Sequence, residues 1–115
     1  MKFNKILVTG FDLTNLDEKV WERINKLTNQ VVFQSSKDID CLFSRFNKVD
    51  KELINSLPKL KYIGLLATGT GTVDLDYAKQ KKVAVCNIPG YATESVAECV
   101  FGLILEHLRD LERAK

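Results

Sequence analysis

Two glycine-bearing loops hold most of the chemistry this sequence offers. Ala67-Thr68-Gly69-Thr70-Gly71-Thr72 follows the apolar run Tyr62, Ile63, Leu65, Leu66, and Asn87-Ile88-Pro89-Gly90 follows a second run from Val83 to Cys86. Small residues leave backbone N–H groups approachable, so such a loop can hold a small anion such as a carboxylate. Spacing excludes two commoner phosphate binders. A G-x-G-x-x-G fingerprint fails because its third position falls on Asp74, and no Gly-Lys-Ser/Thr follows to make a P-loop. Arg45, in the polar turn Ser44-Arg45-Phe46-Asn47-Lys48, stands just past a strand end and reads either as a ligand contact or as a solvated turn arginine. His107 is the only histidine and lies mid-helix with no nucleophile or orienting carboxylate placed by a motif. It reads as a helix-surface or interface residue, so no catalytic residue is assigned. Cys41, Cys86 and Cys99 are odd in number, far apart, and in or beside apolar runs. They read as buried free thiols, not as a metal site or disulfide framework.

The elements that must position these loops alternate between strand and helix. Lys5 to Thr9 is a β-branched opening strand ended by Gly10. Asp12, Thr14 and Asn15 are cap candidates for a helix whose Leu16, Val20, Ile24 and Leu27, with Trp21 beside them, read as core. Val31 to Gln34 and Asp40 to Phe43 are the second and third strands. Between them Ser35-Ser36-Lys37-Asp38 is shorter than a parallel crossover normally needs. Asp50 caps a helix from Lys51 to Leu57 that Pro58 stops, and Asp74 caps another from Leu75 to about Lys82. The last helix runs from Thr93 or Ser95 to about Arg113, with Ser95-x-x-Glu98 in capping-box spacing. Its apolar residues, from Val96 to Leu111, cover more than one stripe, which predicts burial on several sides. In an open α/β sheet, ligands bind at loops leaving the carboxyl ends of strands, which directs attention to residues 67–73 and 87–93.

Composition narrows the function classes. The 115 residues make one domain, 1–115, with 45% apolar content. Seventeen Lys and Arg against fifteen Asp and Glu give +2 without long blocks, so charge makes no case for nucleic acid or membrane. No signal-peptide or membrane-span pattern occurs, and the expected location is the cytoplasm. Two fold relatives fit poorly. Thr9-Gly10-Phe11-Asp12-Leu13 is a poor flavin-phosphate loop, and Phe11-Asp12 with Phe43-Ser44 does not supply a receiver domain's acids.

Three stretches then carry a resemblance. Leu57-Pro58-Lys59-Leu60-Lys61-Tyr62-Ile63-Gly64, the run from Ala67 to Asp76, and Val85-Cys86-Asn87-Ile88-Pro89-Gly90-Tyr91-Ala92-Thr93-Glu94-Ser95-Val96-Ala97-Glu98 closely resemble the N-terminal part of D-isomer-specific 2-hydroxyacid dehydrogenases, with glycerate dehydrogenases and hydroxypyruvate or glyoxylate reductases nearest. The resemblance is dense from Leu57 to Leu105 and looser from Lys5 to Asn55. It implies a flavodoxin-like three-layer sandwich with five parallel strands in order 2-1-3-4-5 and a long C-terminal helix. In the full-length enzyme it implies NAD or NADP and a small 2-keto or 2-hydroxy acid. Thr68 and Gly69 match positions whose N–H groups hold the substrate carboxylate, and Thr68 also matches a cofactor contact at the nicotinamide end. Tyr91 and Arg45 match further substrate contacts. The family's catalytic Arg, Glu and His and its Rossmann cofactor domain lie on sequence this chain does not contain, so the chain alone is expected to be inactive and to bind no cofactor tightly. The competing expectation is a stand-alone scaffold without enzymatic activity that self-associates, as a homodimer, through its C-terminal helix.

Overall fold

Short β-branched and aliphatic runs form the strands of the computed structural model, which describes residues 2–110 and 112–113. Leu111 therefore lies outside the described residues. In chain order the elements are β1 (Phe3–Thr9), α1 (Glu18–Leu27), β2 (Thr28–Val32), β3 (Cys41–Ser44), α2 (Lys51–Ser56), β4 (Tyr62–Leu65), α3 (Leu75–Gln80), β5 (Ala84–Cys86) and α4 (Thr93–Arg109). The sheet is parallel throughout with order β2-β1-β3-β4-β5, as expected from the resemblance.

Side chains alternate across the sheet, and each face meets different helices. Leu7, Leu42 and Ile63 pack with Ile54 of α2 and Ala78 of α3 in the larger core. Ile6, Val8 and Cys41 pack with Trp21 and Ile24 of α1 in the smaller one. Burying each large aliphatic side chain contributes about 1.5–3 kcal/mol, so the α2–α3 face carries most of the stabilisation. The other face is only half covered. Beside α1 lies an apolar groove of about 400 Å³ bordered by Val20, Tyr62, Leu66, Cys86 and Ile88.

Several local expectations are corrected. Asp17, not Asp12, Thr14 or Asn15, caps α1, its side chain accepting from Lys19 N–H. Only Trp21 and Ile24 are buried; Val20, which borders the open groove, is 39% exposed, and Leu27, at the end of α1, is 43% exposed. β2 begins three residues early, directly at the end of α1, since Thr28 is buried with its hydroxyl on the carbonyls of Asn4 and Gln30. The short link to β3 needs no helix because the strands themselves are short. A strand of five residues rises about 16 Å at ~3.3 Å per residue, a return that the eight residues from Phe33 to Asp40 can span even with a turn at Lys37–Asp38. That segment is pinned to β1. Asp40 carboxylate oxygens accept from Asn4 N–H (2.8 Å) and Lys5 N–H (3.0 Å), and Asp38 pairs with Lys5 at 2.6 Å.

Asp50 and Asp74 cap α2 and α3 as the sequence predicts, accepting from Leu53 and Tyr77 N–H at 3.0 Å each. The Ser95–Glu98 capping box does not form: α4 starts at Thr93 behind Ala92 with no side-chain cap, and ends at Arg109, where Asp110 turns left-handed at φ 49. Nor is α4 buried on several sides; it buries no residue at all. It projects from the sheet and gives a radius of gyration of 18.4 Å, against about 13 Å for a compact chain of this length. Among the thiols, only Cys41 is buried, while Cys86 and Cys99 are exposed, a correction to the expectation that all three are interior.

Candidate functional site

Because every strand is parallel, the loops after β1, β3, β4 and β5 leave the same edge of the sheet. Backbone hydrogen bonds then tie them side by side: Arg45 N–H to Thr9 O (3.0 Å), Leu66 N–H to Ser44 O (2.9 Å) and Ile88 N–H to Ala67 O (3.0 Å). The Asn87 side-chain amide adds a bond to Thr68 O at 2.6 Å, locking the β5 loop to the β4 loop. Gly10 makes the first of these junctions possible. At φ +79 a Cβ there would stand 1.8 Å from the Arg45 carbonyl oxygen, so only glycine lets the β1 end meet the β3 loop.

The ladder of loops encloses a cavity of about 190 Å³ lined by Phe11, Asn15, Leu16, Arg45, Leu66, Ile88 and Tyr91. Arg45 and Tyr91, far apart in sequence, are thus brought together. The Arg45 guanidinium rests 5.0 Å from the Phe46 ring centroid, and among the described residues no carboxylate lies within ion-pair distance of it. Tyr91 is 64% exposed at the rim. Thr68 and Gly69 follow Leu66 on the adjacent loop and lie outside the cavity lining. Nothing stands within 4 Å of where a Gly69 or Gly71 Cβ would be, so this backbone faces open space into which a ligand can come close.

The sequence does not single out Asn15 and Phe11 for the site, and takes Asn15 as a cap candidate. The parallel sheet brings the loop after β1, and Asn15 on it, to this edge. Its carboxamide oxygen accepts from Asp12 N–H at 2.9 Å, while Asp12 in turn accepts from Thr14 N–H (2.8 Å) and Thr14 Oγ1 (2.6 Å). Those bonds hold the Asp12 carboxyl below its ordinary range. Trp21 Nε1 donates to Leu13 O at 3.1 Å and fastens the loop to α1. Elsewhere, Tyr62 beside the apolar groove is pushed up to about 12, first by its hydrogen bond with Cys86 and then by burial. His107 borders a polar hollow near the end of α4 with Glu106 and Asp110, remote in sequence from the four loops.

The helix following the Gly69–Gly71 loop is α3, whose first turn is already taken by the Asp74 carboxylate, so this loop does not lead into a free helix N-terminus of the kind that holds a pyrophosphate. Among the described residues no cluster of three or more His, Cys, Asp or Glu could hold a metal, and no helix is long and apolar enough to cross a membrane.

Comparison with known proteins agrees in sequence and in fold. A family model for the catalytic domain of D-isomer specific 2-hydroxyacid dehydrogenases matches residues 8–102. A hydroxypyruvate reductase of Blautia hydrogenotrophica is 32% identical over 76% of this chain and 27% of its own length. A D-3-phosphoglycerate dehydrogenase of Methanocaldococcus jannaschii is 35% identical over 96% of this chain and 22% of its own. Among solved structures, a D-lactate dehydrogenase of Aquifex aeolicus complexed with NAD and lactic acid superposes with a TM-score of 0.78 at 29% identity, covering 95% of this chain and 35% of that one. The chain spans about a third or less of the length of the curated relatives it matches.

Proposed function

Because this chain belongs to the D-isomer specific 2-hydroxyacid dehydrogenase family, we propose that it is the substrate-holding domain of an NAD(P)-dependent oxidoreductase that interconverts a small 2-keto acid and its 2-hydroxy acid. The observation that carries this reading is the convergence of four loops at one sheet edge, with Arg45 and Tyr91 in one cavity and the Thr68–Gly69 backbone open beside it. In this reading the N–H groups of Thr68 and Gly69 hold the substrate carboxylate. Fixed backbone donors orient a carboxylate without ordering a side chain, and each charge-assisted bond contributes about 1.5–3 kcal/mol. Arg45 and Tyr91 meet the rest of the substrate, and Thr68 lies against the nicotinamide end of the cofactor. The cofactor, when bound, supplies the hydride; the residues of this chain bind and orient the acid and keep water from it.

The dinucleotide and the proton donor belong to another part of the full-length enzyme, so the isolated chain is inactive. Three free thiols suit a reducing compartment, and we place the enzyme in the cytoplasm. Titrating the labelled chain with D-lactate and following amide resonances tests the carboxylate site. The Thr68 and Gly69 signals move if the reading holds and stay fixed if it does not. Purified chain mixed with NADH and glyoxylate should leave the NADH absorbance constant; measurable reduction would overturn the claim of inactivity.

A second reading is favoured by α4, a 17-residue helix with no buried residue. Exposed Val100, Phe101, Ile104 and Leu108 form an apolar surface of the kind that finds a partner, and pairing of two copies through it gives a homodimer. Light scattering at high concentration decides: a dimer mass supports the pairing, and a monomer with an extended α4 removes it.

A further inference from the structure

We infer that Asn15, on the loop between β1 and α1, is a specificity-determining residue that joins Arg45 in binding a second anionic group at the far end of the substrate. This rests on the reading of Thr68 and Gly69 as the carboxylate anchor.

The donors in the cavity are unbalanced. Arg45 brings a cation, Asn15 a carboxamide and Tyr91 a hydroxyl, and no Asp or Glu lines the walls. Of the acids adjoining these residues in sequence, Asp12 is engaged by Thr14 and Asp17 by the Lys19 N–H. The bond from Asp12 N–H to the Asn15 carboxamide oxygen turns that oxygen toward the loop backbone and leaves the two N–H donors for a ligand. Both donors are also held in place. The β1–α1 loop is fastened by buried Trp21 through Leu13 O, and Arg45 is fastened by its own N–H to Thr9 O and by the Phe46 ring. Phe11, Leu66 and Ile88 supply apolar walls that lower the local dielectric and strengthen a charge-assisted bond.

These features suit one chemistry. A methyl tail would leave a guanidinium and an amide facing apolar carbon, whereas a carboxylate accepts from both at once. A cavity of about 190 Å³ admits a short tail only. The substrate class is therefore a 2-hydroxy or 2-keto acid bearing a second acid group a carbon or two beyond the reacting centre.

The test compares D-malate with D-lactate, which differ in that tail carboxylate, by amide-resonance titration of the chain. D-malate is expected to move the Asn15 side-chain NH₂ and the Arg45 Nε–H as well as the Thr68 and Gly69 amides, while D-lactate moves only the latter two. Asn15→Ala should lower the ratio of D-malate to D-lactate affinity about tenfold. Asn15→Asp keeps an acceptor for Asp12 N–H and so preserves the loop, and it should lower the ratio further by adding a repelling charge. If Thr68 and Gly69 respond but the ratio is the same in both variants, Asn15 has no such role and the carboxylate anchor stands. If neither acid moves Thr68 and Gly69, the anchor itself fails and this inference fails with it.

Discussion

The sheet face under α2 and α3 and the exposed helix α4 are built from the same kinds of residue and have opposite fates. Leu42, Ile63 and Val49 on the first are wholly buried, whereas Leu103, Leu105 and Leu108 on the second are more than half exposed. Apolar content alone therefore does not make a core. Burial needs a facing surface, and parallel strands with short crossovers bring one to α2 and α3 but none to α4.

The sharpest way to break this comparison is to truncate one leucine in each region. Leu42→Ala should cost about 2–5 kcal/mol in urea unfolding, while Leu105→Ala should stay within about 0.5 kcal/mol. Equal losses would mean that α4 is packed in solution. Next comes the junction that shapes the site from the closed region: Gly10→Ala forces a side chain onto the Arg45 carbonyl at φ +79, with strain of about 1–3 kcal/mol visible as a lowered urea midpoint. Asp74→Ala removes one cap and should cost about 1 kcal/mol by the same measurement.

The thiols compare the two regions without mutation. Burial pushes Cys41 from 9.0 up to about 12, and the neighbouring Asp40 charge adds to it. At pH 8, Cys86 and Cys99 should react with a disulfide reagent within minutes while Cys41 stays protected until the chain is unfolded. The folded state favours the protonated thiol, so this contribution is complete below pH 9 and declines as pH rises towards 12. The smallest effect belongs to the surface. Asp38 is lowered from 3.8 to about 2, first by Lys5 and then by Ser36. Its contribution is present above about pH 4 and fades as pH falls through 2, a slope in acid unfolding that Asp38→Asn should flatten.

Much of the closed region was legible in the sequence. Asp50 and Asp74 stand where short polar side chains satisfy first-turn N–H groups, and Pro58 ends a helix by local sterics, so these features need no knowledge of distant residues. β2 begins before Val31 because Thr28 and Gln30, polar residues without a strand's apolar pattern, pair with β1. Asp17 took the cap from three equally suitable residues because Asp12 and Asn15 bond to each other's turn instead. The Ser95–Glu98 spacing was a correct pattern with no consequence, since the helix had already begun at Thr93.

The candidate site divides in the same manner. Thr68, Gly69 and Tyr91 were legible as members of loops that follow strands, because a strand-to-helix alternation places every such loop at the carboxyl edge. The gathering of Arg45, Tyr91 and Asn15 into one cavity was not, since it depends on strand order, on the Gly10 contact and on hydrogen bonds between loops that sequence spacing cannot encode. By itself, then, the sequence determined the parallel α/β class, the Asp-capped α2 and α3 and the loops that follow the strands, all through local propensity and periodicity. Tertiary structure alone decided which loops became neighbours and which apolar faces were covered, because both depend on contacts between residues far apart in the chain.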